Sequence, residues 1–311
     1  MRVLVTGANG LVGSAVSKLL QEDETLEVFC WKGKNSVDLR DSNHVKDMLY
    51  VLNPDVIIHT AANVGGIEKN AKYPGTLYYD NIMMNSNILN FAFTHTNATK
   101  IIAFTSVCAF PRHLDIFGED DLHLGEPFEA HFGYAYSKRM VDIQLEALNR
   151  EFPGKAQTCC LFPGNIFGER DYFNKDLGHV VPALISKAHS AKELGQKELK
   201  MIGSGRAKRE FIYVGDLARV VEGLIQRTEI PRRMIVSGNK EAEIREVASV
   251  IANEYGLDLS STEDGLDGQN RRVTIKDTFN KYFPNFQYTS IENSLKSTIS
   301  WYNKVYPNVR T

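Results

Sequence analysis

The stretch Gly7-Ala8-Asn9-Gly10-Leu11-Val12-Gly13 comes directly after a short apolar run, Arg2–Thr6, and opens a segment with helical spacing. Three glycines at this spacing permit a tight turn, a close approach of the backbone to a pyrophosphate, and close packing of a helix on a strand. The free N–H groups at the start of the helix and its dipole favour an anion there. The order of strand, turn and helix therefore predicts a dinucleotide-binding fold.

Short β-rich runs alternate with helical stretches through the first half of the chain, which is the pattern of a parallel sheet covered on both faces. The predicted strands are Arg2–Thr6, Glu27–Trp31, Val56–Thr60, Lys100–Thr105 and Ala156–Phe162. The predicted helices are Val12–Gln21, His44–Leu52, Gly75–Thr94, Phe132–Glu151, His179–Ala191 and Ile291–Tyr306. We expect an α/β protein with a Rossmann-type, doubly wound parallel sheet and a smaller C-terminal α/β substrate domain.

The regular alternation stops after Asn165, and a second apolar and regular stretch runs from Arg209 to Val236. We therefore predict that residues 1–165 form a nucleotide-binding Rossmann domain, to which the chain returns near residues 209–238. Residues 166–208 and 239–311 are predicted to form the substrate-binding domain.

The composition excludes several classes of protein. The 311 residues include 36 Lys and Arg against 38 Asp and Glu, so no excess positive charge is present to bind a nucleic-acid backbone. No apolar run approaches the roughly 20 residues of a membrane span, and from the first residues we expect no signal peptide. The four cysteines have the spacing of neither a disulfide framework nor a zinc site. The sequence predicts a cytoplasmic protein without metal, membrane or nucleic-acid partners.

The end of the second strand, Cys30-Trp31-Lys32-Gly33-Lys34, bears on the choice of dinucleotide. A carboxylate at this place would bind the ribose 2′-hydroxyl and repel a 2′-phosphate. This sequence has no carboxylate there, and Lys32 and Lys34 can reach a phosphate, although surface lysines are often only solvated. The predicted cofactor is NADPH.

Three polar side chains suggest reductase chemistry. Tyr134 and Lys138 are four residues apart and share a helix face, and Ser106 follows the fourth strand, at the edge where ligands meet parallel sheets. A neighbouring ammonium is expected to lower the pKa of the phenol from about 10 and make it a usable acid. The Ser106, Tyr134 and Lys138 set therefore predicts an active site.

Several blocks of this sequence resemble those of the GDP-L-fucose synthases, a family within the extended short-chain dehydrogenases. The G-x-x-G-x-x-G spacing of the first turn is typical of the extended enzymes. The resemblance extends from the first strand to the last helix, and the blocks that carry it are Pro54–Gly66, Thr105–Pro111, Phe132–Asp142, Gly178–Leu184, Lys208–Tyr213 and Asp267–Gln269.

The resemblance implies epimerisation of GDP-4-keto-6-deoxy-D-mannose at C3 and C5, followed by reduction of C4 with NADPH to give GDP-L-fucose. Cys108 and His179 fall at the positions of the groups that exchange the C3 and C5 protons, and a thiol and an imidazole both titrate near neutral pH. Ser106 and Tyr134 would stabilise the enolate oxygen at C4. Tyr134 would then supply the proton for reduction.

The turn and the resemblance together assign the binding residues. Lys138 and His179 are assigned to the cofactor as well as to catalysis. The other cofactor contacts are Gly7, Ala8, Asn9, Gly10, Leu11, Val12, Gly13, Lys32, Asp38, Ala61, Ala62, Phe104, Thr105, Pro163, Gly164, Asn165 and Ile166. The GDP-sugar contacts are Lys187, Ile202, Arg209 and Asp267. Of the remaining histidines, His59 is predicted to be structural, and His113, His123 and His131 to lie on surface loops.

Relatives in this family pair two helices across a two-fold axis, which implies a homodimer. The helices are the predicted Gly75–Thr94 and Phe132–Glu151, and the apolar residues that serve either the core or this face are Ile82, Leu89, Val141 and Leu145.

Other functions agree less well with the residues. A sugar 4-epimerase usually has an acidic residue after the second strand, and a 4,6-dehydratase an acidic pair where this chain has Val107-Cys108. A non-catalytic NADP-binding sensor could lose Ser106, Tyr134 or Lys138, all of which are present. A C4 reductase of a related GDP-keto-sugar, such as one leading to colitose or a modified heptose, shares the reductase residues and stays open.

Overall fold

The computed structural model describes residues 1–262 and 272–311. Its strands are β1 Arg2–Thr6, β2 Glu27–Trp31, β3 Val56–His59, β4 Lys100–Phe104, β5 Ile116–Phe117, β6 Gln157–Pro163, β7 Asn165–Phe167, β8 Glu198–Ile202, β9 Lys208–Tyr213, β10 Arg233–Val236, β11 Glu241–Glu243, β12 Asp258–Thr262 and β13 Val273–Thr274. Its helices are α1 Leu11–Leu20, α2 Ser42–Leu52, α3 Ile67–Lys72, α4 Pro74–His95, α5 Phe132–Glu151, α6 Val180–Glu193, α7 Val214–Gln226, α8 Ile244–Tyr255, α9 Asp277–Tyr282 and α10 Ile291–Val305.

A six-stranded parallel sheet forms the centre of the protein, in the order β10-β6-β4-β3-β1-β2. All residues of β3 and β4 are buried, as expected for parallel strands that are covered on both faces. The strands that follow β1 in the chain lie on both sides of it, β2 on one side and β3 on the other. Parallel sheets of this kind open a crevice for ligands at such a point. The predicted Rossmann-type α/β fold is confirmed.

Most predicted elements agree with the structure to within one or two residues, and β3 shows why one end differs. The predicted strand extends to Thr60, but β3 ends at His59. The hydroxyl of Thr60 donates to the carbonyl of Thr6 at 2.6 Å. This bond turns the chain away from the sheet and into the loop that lines the crevice.

Two apolar clusters cover the two faces of the large sheet. One contains side chains of α2, α4 and α5, and the other contains side chains of α1 and α7. A third cluster joins α6, α8 and α10 to the small sheets β11-β9-β7 and β12-β8. Because the third cluster is separate from the two that cover the large sheet, we propose the division into two domains that the sequence predicts. Phe279, Phe283, Phe286 and Tyr288 pack in the α1–α7 cluster, so residues that the sequence assigns to the second domain contact the first.

No helix in the described part of the chain combines the length and the apolar character needed to cross a bilayer.

Candidate active site

One cleft of about 1110 Å³ brings together nearly all the predicted site residues. It is lined by the loops after β1, β3, β4 and β6 and by residues of α5, α6, β8 and β9. The predicted residues on its wall are Gly7, Asn9, Gly10, Leu11, Val12, Gly13, Lys32, Asp38, Ala61, Ala62, Phe104, Thr105, Ser106, Cys108, Tyr134, Lys138, Pro163, Gly164, Asn165, Ile166, His179, Lys187, Ile202 and Arg209. Asp267 lies outside the described residues.

The glycine turn between β1 and α1 is suited to a diphosphate. Gly7 has φ of +70°, and a Cβ there would lie 2.8 Å from the backbone nitrogen of Ala61. A Cβ on Gly13 would lie 2.3 Å from the carbonyl oxygen of Gly7. Gly10 caps α1 without a side-chain hydrogen bond, so the first-turn amides are available to an anion.

Ala8 is the one described residue of the predicted set that does not line the cleft. Its side chain is buried in the core cluster, and its N–H donates to the carbonyl of Trp31 at 3.1 Å. The Ala8 amide therefore joins the turn to β2, and the assignment of Ala8 to the cofactor stays a prediction.

The end of the cleft beyond β2 carries several charges. Lys32 and Lys34 are exposed and line the cleft. Arg40, which the sequence analysis missed, also lines it and hydrogen-bonds both carboxylate oxygens of Asp38, at 3.0 and 2.7 Å. This side-chain hydrogen bonding holds the pKa of Asp38 at about 2 against the effect of partial burial. Arg40 also pairs with Asp80 at 3.1 Å, so it is fixed from two sides.

Tyr134 and Lys138 lie buried on α5, beside the half-buried Ser106. Lys138 donates to the carbonyl of Phe104 at 2.9 Å, and burial lowers its pKa to about 8. Burial raises the pKa of Tyr134 well above its ordinary value, although a hydrogen bond with Ser106 works in the opposite direction. The expectation that Lys138 lowers this pKa was wrong, because burial dominates. The phenol therefore keeps its proton at neutral pH.

Cys108 lies in a short 3₁₀ helix, Val107–Ala109, that follows β4. The hydroxyl of Ser106 accepts a hydrogen bond from the amide of Cys108 at 3.1 Å. Burial by itself would raise the pKa of the thiol, but charge and hydrogen bonding from His131, with smaller effects of Ser106 and Arg272, lower it to about 7. His131 is half-buried and lines the cleft. Its prediction as a surface-loop residue was wrong.

His179 is exposed, precedes α6 and lines the cleft. Asp171, another residue that the sequence analysis missed, also lines the cleft and is only 4% exposed. Its Oδ1 accepts the Tyr172 amide at 2.7 Å, whereas Oδ2 has no hydrogen-bond partner among the described residues. Burial raises the pKa of Asp171, and the nearby His179 opposes this. The free oxygen is available to a hydroxyl or to the imidazole.

The remaining wall of the cleft is basic. Lys187 of α6 and Arg209 of β9 line it, as does Arg310 near the C-terminus. Ile202 ends β8 with 68% of its surface exposed. Cations that line one cleft suit a diphosphate, and an exposed apolar residue suits a flat ring or sugar face.

The pattern of the NAD dependent epimerase/dehydratase family matches residues 3–236. The chain belongs to this family. A GDP-L-fucose synthase of Dictyostelium discoideum is 32% identical over 314 residues, which cover 99% of this chain and 97% of that protein. A GDP-L-colitose synthase of Yersinia pseudotuberculosis is 30% identical, covering 98% and 94%. The crystal structure of a GDP-L-fucose synthetase from Naegleria fowleri bound to NADP is similar with a TM-score of 0.92 and 30% identity, covering 100% and 95%.

In this member of the epimerase/dehydratase family, His59 has the structural role that the sequence predicts. His59 is fully buried, and its ring nitrogens lie 2.8 Å from the hydroxyl of Thr6 and 2.9 Å from the amide oxygen of Asn85. Burial lowers its pKa to about 4. His59 therefore joins β1, β3 and α4 as a neutral structural group, which confirms its prediction.

Proposed function

We propose that this chain epimerises GDP-4-keto-6-deoxy-D-mannose at C3 and C5 and reduces C4 with NADPH, giving GDP-L-fucose. The main support for this proposal is that one cleft is lined by the predicted catalytic residues Ser106, Cys108, Tyr134, Lys138 and His179. This set contains proton-exchanging groups in addition to the residues of a reductase. The names of the Dictyostelium and Naegleria proteins support the same function.

The cleft fits NADPH at both ends. The glycine turn and the start of α1 would hold the diphosphate, and Lys32 would contact the 2′-phosphate. At the other end Thr105 has a buried hydroxyl without a hydrogen-bond partner among the described residues, and it lines the cleft. Such an atom is suited to a polar group of a ligand. NADPH supplies a hydride for the reduction of C4.

The side chains divide the remaining chemistry. Protons at C3 and C5 are acidic because C4 is a ketone, and Ser106 and Tyr134 hydrogen-bond the C4 oxygen as it becomes negative. Cys108 and His179 exchange the C3 and C5 protons. Tyr134 carries its proton at neutral pH and gives it to the C4 oxygen during reduction. Lys138 binds the cofactor and supplies a positive charge on the same helix face as Tyr134.

The basic wall binds the nucleotide part of the substrate. Lys187 and Arg209 contact the diphosphate, because both cations line the same cleft as the catalytic groups. Ile202 contacts the base or sugar. Asp267 is a predicted contact to a guanine or sugar hydroxyl and stays a prediction.

The direct test is incubation with NADPH and GDP-4-keto-6-deoxy-D-mannose, with cofactor oxidation followed by absorbance and the product identified by NMR. We expect one equivalent of cofactor oxidised for each GDP-L-fucose formed. Absence of turnover with this substrate would overturn the proposal.

A second candidate is reduction of a related GDP-keto-sugar at C4 without full epimerase activity. The specific observation in its favour is the 30% identity with a protein named GDP-L-colitose synthase. The two candidates are separated by the ratio of kcat/KM for GDP-4-keto-6-deoxy-D-mannose and for the keto-sugar precursor of GDP-colitose. A higher value for the latter would favour the second candidate.

The lysines beyond β2 predict a preference for NADPH over NADH. A charge-assisted hydrogen bond to the 2′-phosphate contributes about 1.5–3 kcal/mol, which corresponds to a ratio of about 10–150 in kcat/KM. Replacement of Lys32 by Ala should remove much of this preference and leave kcat/KM with NADH unchanged. Lys18→Ala, an exposed lysine of α1 away from the cleft, is the control. Equal kcat/KM for both cofactors in the wild type would contradict the prediction.

A homodimer through α4 and α5 is the proposed assembly. A groove of about 240 Å³ on this pair of helices is lined in part by Ile82, Met140 and Ile143, and Ile143 is 47% exposed. Leu89 and Leu145 are buried in the core and do not line this groove, whereas Val141 is buried in the core and also lines it.

Light scattering at micromolar concentration should give the mass of a dimer for the wild type and of a monomer for Ile143→Asp. A charge buried in an interface costs several kcal/mol, whereas Leu194→Asp, at an exposed apolar residue directly after α6, should leave the dimer intact. A monomeric wild type would refute the assembly.

The cytoplasm is the proposed compartment, because all four cysteines of the chain are unpaired thiols.

A further inference from the structure

A histidine from the segment before α5 lies beside the cysteine of the cleft. His131 ends a short 3₁₀ helix, Glu129–His131, directly before α5. Its ring packs edge-on against Phe128, with the two ring centres 5.8 Å apart. Cys108 and His131 both line the cleft, and the pKa of each side chain is shifted by charge and hydrogen bonding from the other. The two groups therefore lie where a substrate in the cleft can reach them.

Among the residues that the structure describes, the charged and titratable groups that affect the thiol come from four segments of the chain. His131 precedes α5, Tyr134 lies on α5, Arg209 lies on β9, and Arg272 comes just before β13. The two arginines are cations, and Tyr134 is neutral at neutral pH. These surroundings favour a negative charge on the sulfur, and among them His131 lowers the pKa of the thiol most.

We propose that His131 is a positioning residue that holds Cys108 as a thiolate in the resting enzyme. The thiol proton passes to the imidazole, so the pair becomes a thiolate and an imidazolium and its total charge does not change. The inference rests on the proposed function, in which the thiolate is the form of Cys108 that accepts a proton from the sugar ring.

The pKa of Cys108 is lowered and the pKa of His131 is raised, and both shifts favour a thiolate beside an imidazolium. Burial would raise the pKa of Cys108 and lower that of His131, which disfavours both charges. The mutual attraction and hydrogen bond reverse both effects: the pKa of Cys108 falls to about 7 and that of His131 rises. Without His131, burial would leave Cys108 as a neutral thiol at neutral pH, since an unperturbed thiol has a pKa of about 8.5.

The test titrates the thiolate directly and needs no substrate. Ultraviolet absorbance of the thiolate is followed against pH, and the curve of Cys108→Ser is subtracted to remove the other three cysteines. We expect a wild-type midpoint near neutral pH. His131→Asn should raise this midpoint by about one to three pH units, as expected for loss of a neighbouring charge. His113→Asn, at an exposed histidine away from the cleft, should not move it.

His131→Lys tests whether charge is the cause, because an ammonium at this place should restore most of the wild-type midpoint. The rate of alkylation of Cys108 by iodoacetamide should follow the same midpoints. A wild-type midpoint at the ordinary value of a free thiol would overturn the proposal without any variant. An unchanged midpoint in His131→Asn would also overturn it. The same holds for a midpoint that His131→Lys raises as much as His131→Asn does.

The experiment separates this proposal from the proposed function. A shifted titration in a protein that does not convert the GDP-keto-sugar would support the ion pair and overturn the function. An active enzyme in which His131→Asn leaves the thiolate midpoint unchanged would support the function and overturn the ion pair.

Discussion

Replacement of Tyr134 by phenylalanine should lower both the epimerase and the reductase rates by about 10²–10⁴-fold, the usual contribution of a positioned general acid. The change removes one oxygen atom and leaves the ring in its buried place on α5. It also removes the hydrogen bond to the C4 oxygen, which both stages need, and the proton that reduction consumes.

Folding effects are too small to explain such a loss. The deletion leaves Ser106 with one hydrogen-bond partner fewer, which costs about 1–3 kcal/mol of stability if the group is fully buried, and Ser106 is only half-buried. Tyr136→Phe is the matched control, because Tyr136 lies on the same helix and packs against Phe132 and Arg139. Epimerisation is measured as solvent-deuterium exchange at C3 and C5, and reduction as cofactor oxidation. A Tyr134→Phe variant that keeps either rate would contradict the shared role.

Replacement of Cys108 by serine should instead separate the two stages. With a pKa of about 7 the thiol accepts and returns protons at neutral pH, whereas a serine hydroxyl is a far weaker acid. We expect deuterium exchange at C3 and C5 to fall by about 10²–10⁴-fold. Hydride transfer by itself should stay close to the wild-type rate, because serine is similar in size and keeps the loop after β4 in place.

Single-turnover oxidation of GDP-L-fucose with NADP⁺ measures that second quantity, since it requires hydride transfer at C4 and no epimerisation. Cys30→Ser, at a half-buried cysteine outside the cleft, is the control. If Cys108→Ser exchanges both protons at the wild-type rate, Cys108 has no part in epimerisation, and His179 alone would remain for it.

The large sheet could be predicted because its signals are local. Buried parallel strands appear as uninterrupted apolar runs such as Val56-Ile57-Ile58, and the glycine turn has a fixed spacing. Features that depend on the packing of distant segments could not be found this way. Leu89 and Leu145 have the helical spacing of an interface, yet they are buried in the core and do not line the groove on α4 and α5. Spacing gives the face of a helix and does not say what covers it.

The site shows the same division between local and distant signals. Tyr134 and Lys138 share one helix, and Ser106 ends a strand, so their meeting could be predicted. The depth at which α5 buries Tyr134 has no sequence signal, and that depth sets the direction of its pKa. His131 was missed because its partner, Cys108, follows a different element. The nearest signal is its place three residues before Tyr134, at the start of a helix whose first turn meets the cleft.

The most direct test is conversion of GDP-4-keto-6-deoxy-D-mannose with NADPH in D₂O, followed by NMR of the product. The proposed function predicts GDP-L-fucose with solvent deuterium at both C3 and C5 and with the cofactor's protium at C4. A sugar reduced at C4 that keeps the substrate's configuration and protium at C3 and C5 would contradict it and leave a plain reductase.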